Sequence, residues 1–345
     1  MLKLAPLPTP SDRLSIPGIT IGHGSDTEGM TGVTVVLCPE GATAAAEVRG
    51  TATGTRQFDS LKLTHSLASR ANAVVLAGGS GFGLSSADLV VEHLERGGFG
   101  FDTGLGVVPL VPTAILFDLG FGDPAARPGS DLVEAALFSA AAGPITSGSL
   151  GAGTGATVGK ALGPANGMKG GFGFVSFSLS DGPTVAAAVA VNAFGDVRHP
   201  DTGKWLAGCR RAPDSLEPAD ARRVMMSLPP TLGHAWESNT TLAVVMTDAD
   251  LDKAALRKVC EMAFGGFYRC FVPALCLYDG DLVVTLATGD VPAHLHQVGT
   301  LAEMAVAQAI VRAVEKADGF DMLPAWKDLT RGDDGEANPD ESSAA

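Results

Sequence analysis

The chain has 345 residues, with 24 Lys and Arg against 38 Asp and Glu, a formal net charge of −14. At roughly 100–200 residues per domain, this length supports one large domain or two smaller ones. The acid excess excludes a nucleic-acid partner, whose phosphates demand a basic face, and no run approaches the roughly 18 uncharged apolar residues of a membrane span.

From the N-terminus, MLKLAPLPTPSDRLSIPG is broken by prolines before it reaches signal-peptide length, so a cytoplasmic location is expected. The run 31–38 (TGVTVVLC) reads as a strand, as does 71–79 (ANAVVLAGG); residues 85–96 read as a helix stopped by Gly97 and Gly98. A strand follows at 113–119 (TAILFDL), then a Pro/Gly loop at 120–131. The run 184–195 is continuously apolar, the mark of a strand covered on both faces. Charges and prolines across 201–238 describe an exposed segment leading into the strand 241–249. A helix is expected over 250–264 with Asp250 as its cap, then a strand over 281–289. The last helix is expected over 300–317, where Thr300 and Glu303 have capping-box spacing. The tail 331–345 is acidic and apolar-poor, so it should be disordered. Alternating strands and helices point to a mixed α/β layered domain over 1–330. The five cysteines form an odd set without a CxxC pair, fitting reduced thiols better than disulfides or zinc.

Several motifs fail on inspection. Gly78-Gly79-Ser80-Gly81-Phe82-Gly83 sits between strand and helix, but Phe82 and Leu84 break the nucleophile-elbow and dinucleotide patterns. A tight turn is the simpler reading. GATVGK (155–160) lacks the leading Gly and trailing Ser or Thr of a phosphate loop. His294 and His296 would share one face of a strand, yet no further ligand stands at metal spacing, and surface or helix-entry histidines are the simpler reading. Two rival functions remain: a conventional serine hydrolase using Ser80, or a non-catalytic small-molecule or phosphate-binding protein built on the glycine loops 78–83 and 151–159.

Asn239-Thr240-Thr241 precedes a strand and admits three readings: a glycosylation sequon, an ordinary strand start, or a latent N-terminal nucleophile. In the third, cleavage before Thr240 places a hydroxyl and an α-amine with a pKa of about 7.7–8.0 on one residue. Asp279-Gly280-Asp281, between two apolar runs, is a strong hairpin-turn signal.

The blocks IPGITIGHGSD (16–26), TGVTVVLCPEGA (31–42), VRGTATGTR (48–56), AVVLAGGSGFGLSSAD (73–88), SLGAGTGATVGK (149–160), AVAVNAFGDV (188–197), SNTTLAVVMTDA (238–249) and DGDLVVTLATGD (279–290) appear in order. Together they resemble the self-processing hydrolases typified by the DmpA aminopeptidase, with the β-peptidyl aminopeptidases, the ThnT pantetheine hydrolase and the endo-acting nylon-oligomer hydrolase. The motifs are nearest the nylon-hydrolase branch. The resemblance implies a layered αββα fold akin to the N-terminal nucleophile hydrolases, with its own strand connectivity. It implies autocleavage between Asn239 and Thr240, giving an α chain 1–239 and a β chain 240–345, and an amide hydrolase with Thr240 as nucleophile. Asn192 matches an oxyanion donor, Lys160 a site lysine, and Asp279 and Asp281 the acids beside the threonine. Read alone, Asn192 is a strand-end residue and Lys160 an exposed loop lysine. Phe117 stands where the family commonly has Tyr. The resemblance also implies a homo-tetramer or larger, no metal or organic cofactor, and a substrate among peptides, small amides or ω-amino-acid oligomers.

Overall fold

In the computed structural model, which describes residues 6–63, 65 and 66, 69–227 and 239–330, the apolar runs become the strands of one hydrogen-bonded sheet that folds over on itself. The main strands are β1 (Thr20–Asp26), β2 (Thr31–Val48), β3 (Arg70–Ala77), β4 (Thr113–Ile115), β5 (Gly171–Ser178), β6 (Thr184–Asn192), β7 (Thr240–Ala249) and β8 (Leu282–Val291). Their order is β5-β6-β7-β8-β2-β3-β4, with Thr55–Arg56 at the edge and β1 paired to β2. β7 and β8 run parallel; β6 and β7 run antiparallel.

The long strand β2 creates the layering. Its first half pairs with β1 and β3, its second half with β8, and the register shifts between Leu37 and Ala42. Gly41 at φ 81° supplies the left-handed residue of that bend, a conformation that favours glycine. The two halves therefore serve two stacked layers.

Alternation then sorts the side chains. In β6, Val185, Ala187, Val189 and Val191 face the helices α3 (Lys253–Cys270) and α4 (Leu295–Glu315), while Ala186, Ala188 and Ala190 face the space between the layers. Leu242, Val244 and Met246 of β7, with Leu282, Val284 and Leu286 of β8, fill the same central core. On the far side Val33, Val35, Ala73 and Val75 pack on α1 (Ser86–Arg96) and α2 (Ser130–Ser139). The layered αββα arrangement expected from the sequence is the one observed. Both faces of the sheet are covered, which is why its strands read as unbroken apolar runs.

Some elements depart from expectation. β1, β5 and α2 were not anticipated; glycines interrupt the strand pattern of GFGFVSFS, yet Gly173 lets α4 lie on β5, since a Cβ there would fall 1.9 Å from the Ala309 carbonyl oxygen. α3 is capped by Asp252, not Asp250, whose own N–H pairs with Val291. α4 begins at Leu295 with a capping box formed by His294 and Gln297, so Thr300 is inside the helix. His294 and His296 thus sit at a helix entry, the simpler of their two sequence readings. Asp279-Gly280 is no hairpin turn, because the segment leads into β8 parallel to the start of β7. The strand at 113–119 is short, ending at Ile115. The tail 331–345 and the segment 228–238 lie outside the described residues.

Candidate active site around Thr240

The site forms where β6 ends and β7 begins. Antiparallel register sets Asn192 directly opposite Thr240, so both side chains take the same face of the sheet. Continuing the alternation of Ala190 and Leu242, that face is the central one. Thr240 is 1% exposed and Asn192 completely buried.

The peptide between Asn239 and Thr240 is tightly held. Asn239 donates its N–H to the Tyr278 carbonyl at 2.7 Å, and its own carbonyl accepts the Gly280 N–H at 2.7 Å. The Thr240 hydroxyl also donates to that carbonyl oxygen, at 2.5 Å. The candidate nucleophile therefore lies against the carbonyl group that precedes it, and a backbone donor already polarises the same group.

Asp279-Gly280-Asp281 is clamped from two sides. The Asp279 carbonyl accepts the N–H groups of Thr51 and Ala52, and the Asp281 carbonyl those of Arg49 and Gly50. The carboxylates hold further backbone: Asp279 takes the N–H of Phe194 at 3.0 Å and of Cys276 at 2.9 Å, while Asp281 takes the N–H of Thr241 at 2.7 Å. In the uncut chain both acids thus brace the main chain around Thr240. Burial raises both carboxyls above the usual range; Asp281 rises further because Asp279 is beside it, whereas Lys160 offsets part of the rise on Asp279.

Lys160 is 7% exposed, not the solvent-facing loop lysine its local sequence suggests. It donates to Asn192 Oδ1 at 2.8 Å, and the Thr157 N–H reaches the same oxygen at 2.9 Å. These two donors fix the amide's orientation: Nδ2 points the other way and donates to the Phe117 carbonyl at 3.0 Å. Phe117 serves the site by its backbone, while the residue lines a cavity of about 400 Å³ with Phe121, Thr157, Lys160, Pro164 and Leu323.

Three contributors escaped sequence reasoning. Thr157 N–H is one. Asp118, buried beside Phe117, accepts the Thr31 hydroxyl at 2.8 Å and the Gly79 N–H at 2.7 Å, tying the 78–83 loop to the end of β4. Lys169 is fully buried and donates to the carbonyls of Gly153, Ala156 and Gly170. Burial lowers its pKa to about 7. For Asp118 and Lys169 the available signal was a charge lodged in an apolar or glycine-rich run, which rarely occurs without buried partners; the Thr157 N–H offered none.

The rival readings lose their geometry. Loop 151–159 turns carbonyls toward Lys169 and spends the N–H groups of Thr154, Ala156 and Gly159 on backbone partners, so it presents no phosphate cradle. Ser80 begins a 3₁₀ turn at φ 54° with its N–H on Leu116. Among the described residues, no histidine or carboxylate bonds its hydroxyl, and no His/Cys/Asp/Glu group could hold a metal ion. No helix among them is long and apolar enough to cross a membrane.

Comparison with known proteins agrees with this architecture. An uncharacterized aminopeptidase of Mycobacterium leprae is 36% identical over 362 residues, covering 94% of this chain and 95% of its own. A 6-aminohexanoate-oligomer endohydrolase of Paenarthrobacter ureafaciens is 29% identical over 293 residues, covering 81% of this chain and 75% of its own. The structure of the L-aminopeptidase D-Ala-esterase/amidase of Ochrobactrum anthropi, described as a variant of the Ntn hydrolase fold, superposes with a TM-score of 0.67 at 17% identity, covering 92% of this chain and 89% of the other. Residues 14–323 match the family described as Peptidase family S58, and with the layered fold and the buried site at Thr240 this places the chain in that family, as a hydrolase of peptide or amide bonds.

Proposed function

We propose that the chain cleaves itself between Asn239 and Thr240 and that Thr240 then serves as the nucleophile of an amide hydrolase. The observation that carries this reading is the Thr240 hydroxyl lying 2.5 Å from the Asn239 carbonyl oxygen, which Gly280 N–H also contacts. In the precursor, Thr240 Oγ adds to the Asn239 carbonyl carbon. The C–N bond breaks, its nitrogen takes the proton lost by the hydroxyl, and an ester remains on Oγ. Water hydrolyses that ester, freeing the Asn239 carboxyl and restoring the Thr240 hydroxyl beside the α-amine released in the first step.

The mature residue then carries its own base. Its amine, about 7.7–8.0 in model compounds, lies near Asp279 and Asp281, which would raise it, while Lys160 opposes them. Thr240 Oγ attacks the substrate amide, its proton passes through the α-amine to the departing amine, and water clears the acyl-enzyme. Asn192 Nδ2 is the side-chain donor nearest in register to Thr240, and it suits the developing oxyanion.

Two relatives' names bear on the substrate. One acts as an aminopeptidase by its name, another on 6-aminohexanoate oligomers. The cavity beside Asn192 has apolar walls at Phe117, Phe121, Pro164 and Leu323, with Lys160 as its cation. Such walls favour an unbranched aliphatic amide chain.

Intact mass and N-terminal sequencing of purified protein test the first step. Two chains are expected, the smaller beginning Thr240-Thr241-Leu242. Thr240→Ala should yield one uncut, inactive chain, whereas Ser80→Ala should process and turn over normally. A fully active single chain would overturn the reading. A panel of linear ω-amino-acid amides against short peptides decides the substrate class.

A further inference from the structure

We infer that the backbone N–H of Gly280 is a second oxyanion donor in both reactions, beside the Asn192 side chain, first for the chain's own scissile carbonyl and then for the substrate's. The inference rests on Thr240 being the nucleophile, and it adds a catalytic group which no side-chain pattern announces.

The Gly280 N–H donates to the Asn239 carbonyl oxygen at 2.7 Å, on the same oxygen that Thr240 Oγ contacts. When Oγ adds to that carbonyl, the negative charge develops on the oxygen already facing this donor. Cleavage and departure of the Asn239 carboxyl end leave the N–H without its acceptor. The substrate's carbonyl must approach the same Oγ, so its oxygen arrives at the vacated position. One donor serves twice because one nucleophile does.

Two further observations support this. The Gly280 peptide is rigid independently of Asn239: the flanking carbonyls are held by the N–H groups of residues 49–52, and the flanking carboxylates by Phe194, Cys276 and Thr241. The donor therefore keeps its place when its first acceptor leaves, which is what preorganised stabilisation requires. Glycine is also demanded there. A Cβ on residue 280 would lie 2.5 Å from Thr240 Oγ and 2.5 Å from the Ala52 carbonyl oxygen. Only a residue without a side chain lets its backbone come this close to the nucleophile.

The direct test replaces Gly280 in the full chain by glycolic acid, which turns the 279–280 amide into an ester and removes only the N–H. Self-cleavage should slow by about 10²–10³-fold, and kcat of the processed variant should fall by a similar factor with little change in KM. Parental rates for both steps overturn the inference and leave Thr240 as nucleophile intact. Failure of the parent chain to process, or full activity of Thr240→Ala, removes the underlying reading instead. Because the ester variant could fail to fold, residue-resolved hydrogen exchange on unmodified backbone provides a second measurement. The Gly280 amide should be protected in uncut Thr240→Ala, exchange faster in the processed enzyme, and become protected again in a tetrahedral adduct with an alkyl boronic acid. Exchange at Gly280 that ignores both cleavage and adduct formation overturns the assignment.

Discussion

Asp279 and Asp281 look interchangeable in sequence, yet they hold different numbers of donors. Asp279 accepts one N–H on each carboxylate oxygen, from Phe194 and Cys276, whereas Asp281 accepts the Thr241 N–H on one. An asparagine at 279 must turn its NH₂ toward one of those donors. Asp279→Asn should therefore cost about 1–3 kcal/mol in a denaturant titration, and Asp281→Asn less, since its amide oxygen can still face Thr241. Equal losses would contradict this bond count. Asn192 permits a test of its two ends separately. Asn192→Asp keeps the oxygen that Lys160 and Thr157 need but removes the amide donor. The variant also loses the Nδ2 bond to the Phe117 carbonyl, so it should be less stable by about 1–3 kcal/mol, while self-cleavage and kcat of the folded protein fall by about 10²–10³-fold; parental kcat would exclude Asn192 as a donor to the oxyanion.

Among the elements, helix-to-sheet distance rather than helix propensity is the sensitive quantity. Gly173 of β5 lies beneath α4 so closely that a Cβ would fall 1.9 Å from the Ala309 carbonyl oxygen, whereas a Cβ at Gly81 would meet nothing within 4 Å. Gly173→Ala should destabilise by about 1–3 kcal/mol or more through overpacking, and Gly81→Ala should shift stability by less than about 0.5 kcal/mol. Thermal unfolding of the two variants side by side checks the contrast. The same closeness explains why β5 was illegible: its glycines weaken strand propensity locally and are justified only by the helix above them. Helix α4 was misplaced at its start for a related reason. Thr300 and Glu303 imitate a cap, but the helix starts at Leu295, where His294 and Gln297 supply one.

Across the whole molecule, Lys169 is one of several buried charges that the fold must tolerate. Its pKa falls from 10.5 to about 7, chiefly through burial and in small part through Lys160, with Asp118 and Asp318 pulling it back up. Between these two values the unfolded chain binds more protons at this site than the folded one. The site therefore destabilises most below pH 7 and is relieved as pH rises toward the unfolded value. From pH 7 to 9 the parent should gain about 1 kcal/mol per pH unit relative to Lys169→Met. Parallel stability profiles for the two proteins over that range would show that Lys169 titrates near its ordinary value.

Local chemistry determined much of this protein: the apolar strands, the helix 86–96 ahead of Gly97, and Asn239-Thr240 at the head of β7. These were legible because side-chain alternation, helix stops and turn residues act over a few positions. The layered fold followed from ordered blocks resembling a known family. Tertiary structure alone decided that Asn192 faces Thr240, that residues 49–52 grip the Asp279–Asp281 segment, that Lys160 is buried, and that the Gly280 N–H meets the Asn239 carbonyl. Each of those is a matter of register or approach between segments distant in sequence. Register is set by the shared core between the layers, where moving a strand by one residue exchanges its two faces. A backbone N–H, finally, has no side chain to announce it, so a glycine's part in the site becomes visible only when the chain is folded around it.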